Sequence, residues 1–332
     1  MRAAVLHRVQ EPLSVEEVAE PIAPAGGVVV RLRAAALNHR DSWIRRGQYA
    51  RIQLPCILGS DGAGEICALG AGVDASWLGR RVLLHPSSGW GADARAQGKA
   101  FAIRGMPGPG TLAEKIAVPL CEIEPLPEHL SFAEGAALPL AGVTAYRALV
   151  TRGELRAGEH VLITGIGGGV ATCTLVLARA LGATVSVTSS RAEKLAAAQA
   201  LGASFVANYS APGWEKELVA RAGRAPSLII DGAGGDGLNA LIAAAAPGGR
   251  IVLYGATRGV PAAADLHRLF FKQLDLRGTT MGSEDEFRAL VALVSRERLK
   301  PVLDRTFPLE KIGEAIACLE SSTQMGKIVV EI

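Results

Sequence analysis

The chain has 332 residues, 49% apolar and 20% charged, with a formal net charge of +3. That length accommodates two domains, and the composition is that of a globular protein rather than a disordered one. The small charge and low aromatic content (5%) exclude the basic, aromatic-interleaved surface that nucleic acid requires, and no membrane partner is expected.

The N-terminal MRAAVLHRVQEP has too short an apolar region for a secretory signal, and no run approaches the ~18–20 apolar residues that cross a bilayer. Residues 1–125 read as short strands broken by Gly and Pro: RAAVLH, GGVVVRLRAAAL, GAGEICALG, RRVLLHP and GTLAEKIAVP. In VRLRA, Val30, Leu32 and Ala34 alternate with Arg31 and Arg33, the mark of a half-buried strand. Such spacing predicts a distorted barrel or sandwich, interrupted by a polar Gly/Pro-rich loop over 86–110. Five cysteines (Cys56, Cys67, Cys121, Cys173, Cys318) include no CxxC pair. Neither a disulfide framework nor a cysteine-rich zinc cluster is expected, and a reducing cytoplasm is the expected location.

From residue 126 the rhythm changes. Strands at 160–164, 184–188, 204–207, 227–231 and 250–254 alternate with helices at 169–181, 192–201, 214–222 and 237–245. That α/β alternation predicts a doubly wound parallel sheet. LDLRG (274–278) adds an edge strand and a candidate dimer seam. Beyond it, SEDEFRALVALVSRERL and LEKIGEAIACLES read as amphipathic helices and GKIVVEI as a closing strand.

One stretch carries chemistry. VLITGIGGGVATCTLVLARALGATVSVTSSR (161–191) is strand, glycine turn, helix and strand, so a helix N-terminus opens at Gly165, Gly168, Gly169 and Val170. Unpaired N–H groups and the positive end of the helix dipole suit a pyrophosphate. A second strand that serves NAD usually ends in Asp or Glu, which binds the ribose hydroxyls. Here Ser189 and Ser190 stand instead, followed by Arg191 and Lys194, which suits a 2′-phosphate and predicts NADP(H). Ser190 as the cap of the next helix is a compatible alternative.

PCILGSDGAGEI, LPLAGVTAYRAL, VLITGIGGGVA and MGKIVV together resemble the medium-chain dehydrogenase/reductase superfamily over essentially the full chain. LNHRDSWIRRGQY resembles its zinc-lacking, quinone-oxidoreductase-like branch. The resemblance implies a GroES-like catalytic domain (1–125, completed by 296–332) and a Rossmann NADP(H)-binding domain (126–295). The cofactor loop departs from GxGxxG and is closer to AxxGxxG, with Gly165, Gly168 and Ala171 in its three places. Zinc members of the superfamily hold a catalytic metal with Cys, His and Cys; the matching positions here are Asn38, Ser60 and Leu140, so no metal is expected. His39 and His85 read as ordinary core or surface residues.

Without a Lewis acid, hydride transfer favours an acceptor that is already electrophilic. The resemblance therefore implies a zinc-independent NADPH-dependent reductase of quinones or of activated C=C bonds in enones and enals. An NADP-linked alcohol dehydrogenase or carbonyl reductase and a non-catalytic NADPH-binding sensor remain as rivals. The candidate catalytic residues are Asn38, Asp41 and Tyr49, with helix capping (Asn38, Asp41) or a surface turn (Tyr49) as the plainer alternatives. Ser60 and Asp61 are expected to close a hydrogen-bond network, and Trp43 and Trp90 either wall a pocket or simply pack. Cofactor contacts implied by the resemblance are Asn38, Thr144, the 165–171 loop, Ser190, Arg191, Lys194, Tyr209, Gly255 and Lys327. Tyr209 would stack on adenine or bond a phosphate, and Lys327 would neutralise a phosphate unless it is merely an exposed lysine. A homodimer completes the expectation.

Overall fold

The alternation in VRLRA becomes the scaffold of the first of two units. The computed structural model describes residues 1–332. Unit 1 comprises Met1–Val143 and Gly282–Ile332, and unit 2 comprises Thr144–Met281. In unit 1, strand Gly27–Ala36 buries Val28, Val30, Leu32 and Ala34 and exposes Arg31 and Arg33, as a strand with one covered face must. It pairs antiparallel with Asp61–Leu69, Lys115–Pro119 and Lys327–Glu331. The sheet runs from Ile123–Pro125 through Arg81–Leu84, Asp61–Leu69, Gly27–Ala36 and Lys327–Glu331 to Leu303–Pro308. The C-terminal strand is thus built into a sheet otherwise made mostly of N-terminal strands.

The unit boundaries lie inside those expected from the change in rhythm, because two further pieces pack in unit 1. Gly135 of helix Phe132–Ala136 sits against Leu126, Leu83 and Ala63. Helix Glu284–Arg296 sets Phe287 edge-on against His85 at 5.0 Å and lays Leu290 over Gly142. Helix Pro139–Tyr146 is buried almost all round. It shows no amphipathic period and carries Pro139 and Gly142, so periodicity does not reveal it.

Unit 2 is a six-stranded parallel sheet in the order Phe205–Asn208, Thr184–Ser189, His160–Ile163, Leu228–Asp231, Arg250–Leu253, Asp275–Gly278. The two central strands, HVLI and LIID, are buried along their whole length, as strands covered on both faces are. Strand order reverses between them, which makes the crevice beyond their C-terminal ends the expected ligand site. No helix of the chain is long and apolar enough to cross a membrane.

Candidate functional site

Three strand ends meet in unit 1. Ala36 pairs with Asp61 on one side and Val329 on the other, which brings Asn38, Asp61 and Lys327 together. The Asn38 amide nitrogen donates to Asp61 Oδ2 at 2.9 Å. Lys327 Nζ donates to Asn38 Oδ1 at 2.7 Å, to Asp61 Oδ2 at 2.8 Å and to the Leu37 carbonyl at 2.8 Å. Asp61 Oδ1 accepts the Leu140 N–H at 2.7 Å. Asp61 is fully buried and Lys327 is 3% exposed. Lys327 is therefore not the exposed lysine of the plainer expectation. An ammonium has three N–H donors, and all three are engaged inside unit 1.

Asn38 is the N-cap of helix His39–Arg45 and forms a capping box with Asp41, whose carboxylate accepts the Asn38 N–H at 2.8 Å. Asp41 is thus the third helical residue rather than a cap. Its other oxygen accepts the Gly59 N–H at 3.2 Å, tying the helix to the segment that carries Ser60 and Asp61. Burial pushes its carboxyl pKa up, against the Arg40 charge and these two donors. Asp41 is thus enclosed, each carboxylate oxygen accepting one backbone N–H.

Arg40 lies beneath this network and carries no signal in the sequence. It is buried, donating from Nη1 to Ser60 Oγ at 3.0 Å and to the Arg104 carbonyl at 2.7 Å, while its Nε has no partner. Its guanidinium stands 5.2 Å from the Tyr49 ring centroid. Tyr49 is half-buried against the unit 1 core rather than on an open turn. Burial pushes the nearby Cys56 thiol up to about 11. Burial likewise pushes the His85 pKa down, leaving a neutral imidazole. Trp90 is buried and packs edge-on against Phe101 at 5.5 Å within its own loop.

In unit 2 the glycine loop takes the form its sequence demands. Gly165 and Gly167 have φ of +60° and +146°, which residues with a Cβ rarely adopt. A Cβ on Gly165 or Gly168 would point into open space, and one on Gly167 would strike Lys194 Nζ at 2.7 Å. Lys194 therefore lies across the loop. Gly168 is the N-cap of helix Gly169–Ala180 and offers no side-chain acceptor, so the first N–H groups at Gly169 and Val170 are uncapped. The Thr164 hydroxyl donates to buried Asp231, which also accepts the Ala233 and Gly234 N–H groups. That fixes the loops after both central strands. Thr144 is buried in helix Pro139–Tyr146, and Gly255 approaches Gly232 so closely that a Cβ would meet its carbonyl at 3.0 Å.

At the end of strand Thr184–Ser189, Ser189 is buried and its Oγ accepts the Arg191 N–H at 3.2 Å. The N-cap of the following helix is Arg191, not Ser190. Ser190 is exposed and accepts a hydrogen bond from the Tyr209 hydroxyl at 3.1 Å. Arg258, missed in the sequence because it sits in an aperiodic loop, places its guanidinium 5.4 Å from the Tyr209 ring centroid. A hydroxyl, a phenol and a guanidinium thus gather where a dinucleotide's ribose is held in this fold.

The family models match in the same order. Residues 24–128 match the alcohol dehydrogenase GroES-like domain, and residues 169–296 match the zinc-binding dehydrogenase domain. The zinc-type alcohol dehydrogenase-like protein YogA of Leptosphaeria maculans is 39% identical over 98% of this chain and 96% of its own. The chain belongs to the medium-chain dehydrogenase/reductase superfamily. It is therefore an oxidoreductase. The quinone oxidoreductase of Mus musculus is 29% identical over 95% of this chain and 92% of its own. A crystal structure of an NAD-dependent alcohol dehydrogenase superimposes with a TM-score of 0.95 at 34% identity, covering 100% of both chains.

The zinc in the names of several relatives finds no matching donor set here. Structural and catalytic zinc take thiolate, imidazole and carboxylate ligands. No group of three or more His, Cys, Asp or Glu side chains is placed to hold an ion. At the three matched positions stand an amide engaged by Lys327 and Asp61, a hydroxyl engaged by Arg40 and Arg104, and Leu140. The residues do not fit a zinc ion.

Proposed function

We propose that this oxidoreductase is a metal-independent, NADPH-dependent reductase of activated C=C bonds or quinones. The observation that carries this reading is the donor set of unit 1: Asn38, Ser60 and Leu140 cannot hold a Lewis acid, so the acceptor must bring its own electrophilicity. Two relatives named for such acceptors support it, the mouse quinone oxidoreductase and the acryloyl-coenzyme A reductase of Metallosphaera sedula, the latter 28% identical over 99% of this chain.

Reduced nicotinamide, when bound, supplies the hydride. The chain's residues hold, orient and donate protons. The uncapped N–H groups of Gly169 and Val170, with Lys194 across the loop, receive the pyrophosphate. Ser190, Tyr209, Arg191 and Arg258 receive the 2′-phosphate with hydroxyls and cations. In unit 1 the Asn38 amide has one N–H on Asp61 and a second for an acceptor oxygen, where charge builds during reduction. The Tyr49 phenol supplies the proton that completes the reduction.

The test is the product formed from NADPH and a simple 2-alkenal. A saturated aldehyde is expected. An allylic alcohol would transfer the reading to carbonyl chemistry, the direction to which the 34% identical alcohol dehydrogenase points. NADPH binding without any product would favour a sensor.

A homodimer is also proposed, through the edge strand Asp275–Gly278 and helix Leu266–Phe271 beside it. Phe271 is 83% exposed and Phe270 62%, more apolar surface than water favours at a sheet edge. The wild-type protein should show a dimeric mass in solution and Phe271→Asp a monomeric one. A monomeric wild type would remove the proposal.

A further inference from the structure

We infer that the Lys327 ammonium is the resident cation of the unit 1 site and positions Asn38, one of the three residues matched to zinc-ligand positions. The inference deepens the reductase reading, and only its catalytic consequence rests on that reading. Three oxygens surround Nζ at 2.7–2.8 Å, one from each of Leu37, Asn38 and Asp61. The three donors of an ammonium are matched one to one. Asp61 is buried with Lys327 as its ion-pair partner, and the neighbouring buried Asp41 has Arg40 as its nearest-acting cation. Asp61 is thus paired with a cation of the same chain, and the Asn38 oxygen at the matched position is already engaged by that cation rather than free for a metal ion.

The same contacts fix the Asn38 amide. Its Oδ1 must face the ammonium and its Nδ2 the carboxylate, because the flipped amide would set donor against donor and acceptor against acceptor. With Oδ1 and one N–H committed, the second N–H of Nδ2 has a defined direction. Lys327 reaches no substrate and holds no phosphate; it is a positioning residue supplied by the C-terminal strand, 289 positions from Asn38.

The experiment compares wild type, Lys327→Met, Asp61→Asn and the Lys327→Met/Asp61→Asn double variant in the full-length protein. Melting temperature, NADPH affinity by fluorescence, zinc content after exposure to zinc and dialysis, and alkenal turnover are measured. Removing the ammonium strands a buried carboxylate, so Lys327→Met should lower the melting temperature by ~10 °C, with more than about half restored in the double variant. NADPH affinity should stay within about threefold of wild type, while kcat falls at nearly constant KM. Wild type should retain no stoichiometric zinc. Additive losses in the double variant, a fall of about tenfold or more in NADPH affinity, or one zinc per wild-type chain would each overturn the inference. If Lys327→Met does not fold, recovery of folding in the double variant supports the inference and continued failure overturns it. Should the protein reduce no acceptor, the melting and zinc measurements still decide, so the two readings fail separately.

Discussion

Ser190→Asp is expected to lower kcat/KM for NADPH by ~100-fold and to move the preference toward NADH. Ser190 is exposed at the end of its strand, with its Oγ bonded to the Tyr209 hydroxyl and the Arg258 guanidinium over the same tyrosine. A carboxylate there would face the dianionic 2′-phosphate of NADPH, whereas with NADH it would accept from two ribose hydroxyls. Like-charge juxtaposition of this kind costs several kcal/mol, offset partly by Arg191 and Arg258, and about 2.7 kcal/mol is the hundredfold stated. Steady-state rates with both cofactors measure it. Equal losses for NADPH and NADH would show that Ser190 serves only the local fold, and a wild type that prefers NADH would refute the NADP assignment outright. Arg258→Ala, beside it, should raise KM for NADPH and leave that for NADH unchanged.

The two units differ in how much the sequence reveals, for a physical reason. Parallel strands buried on both faces, such as His160–Ile163 and Leu228–Asp231, read as continuous apolar runs between glycine turns. The glycine cradle is contiguous, so its strand and helix identify it. In unit 1, Ser14–Glu17, Cys56–Ile57 and Ser87–Ser88 are short and carry little pattern; pairing with Arg2–Leu6 or, for Ser87–Ser88, with Ala102–Ile103 makes them strands. The site of unit 1 is less legible still. Asn38 and Asp61 are 23 positions apart and Lys327 lies at the other end of the chain, and nothing local in MGKIVV says that its lysine is buried. The motif resemblance implies a phosphate contact, and only sheet register shows the ammonium among Leu37, Asn38 and Asp61. Arg40 and Arg258 share that fate, since an arginine's partners are set by the fold and not by its neighbours in sequence.

Asn38→Ala should reduce kcat for alkenal reduction by ~100-fold or more while leaving NADPH affinity nearly unchanged. The substitution removes the donor proposed to meet the acceptor oxygen, and with it one oxygen from Lys327 and one N–H from Asp61. Leaving those two buried partners short should cost ~1–3 kcal/mol of stability, so the melting temperature falls as well. Turnover must therefore be separated from folding. Asn38→Ser does this, because serine is a good N-cap and sets no second carboxylate against Asp61, yet it has no amide N–H for the acceptor. If the amide donates to the acceptor, both variants lose kcat to a similar degree although only alanine loses the cap. If Asn38 serves only to begin helix His39–Arg45, serine should retain turnover within about threefold of wild type. The kcat of Asn38→Ser thus separates a residue that holds the fold from one that meets the substrate.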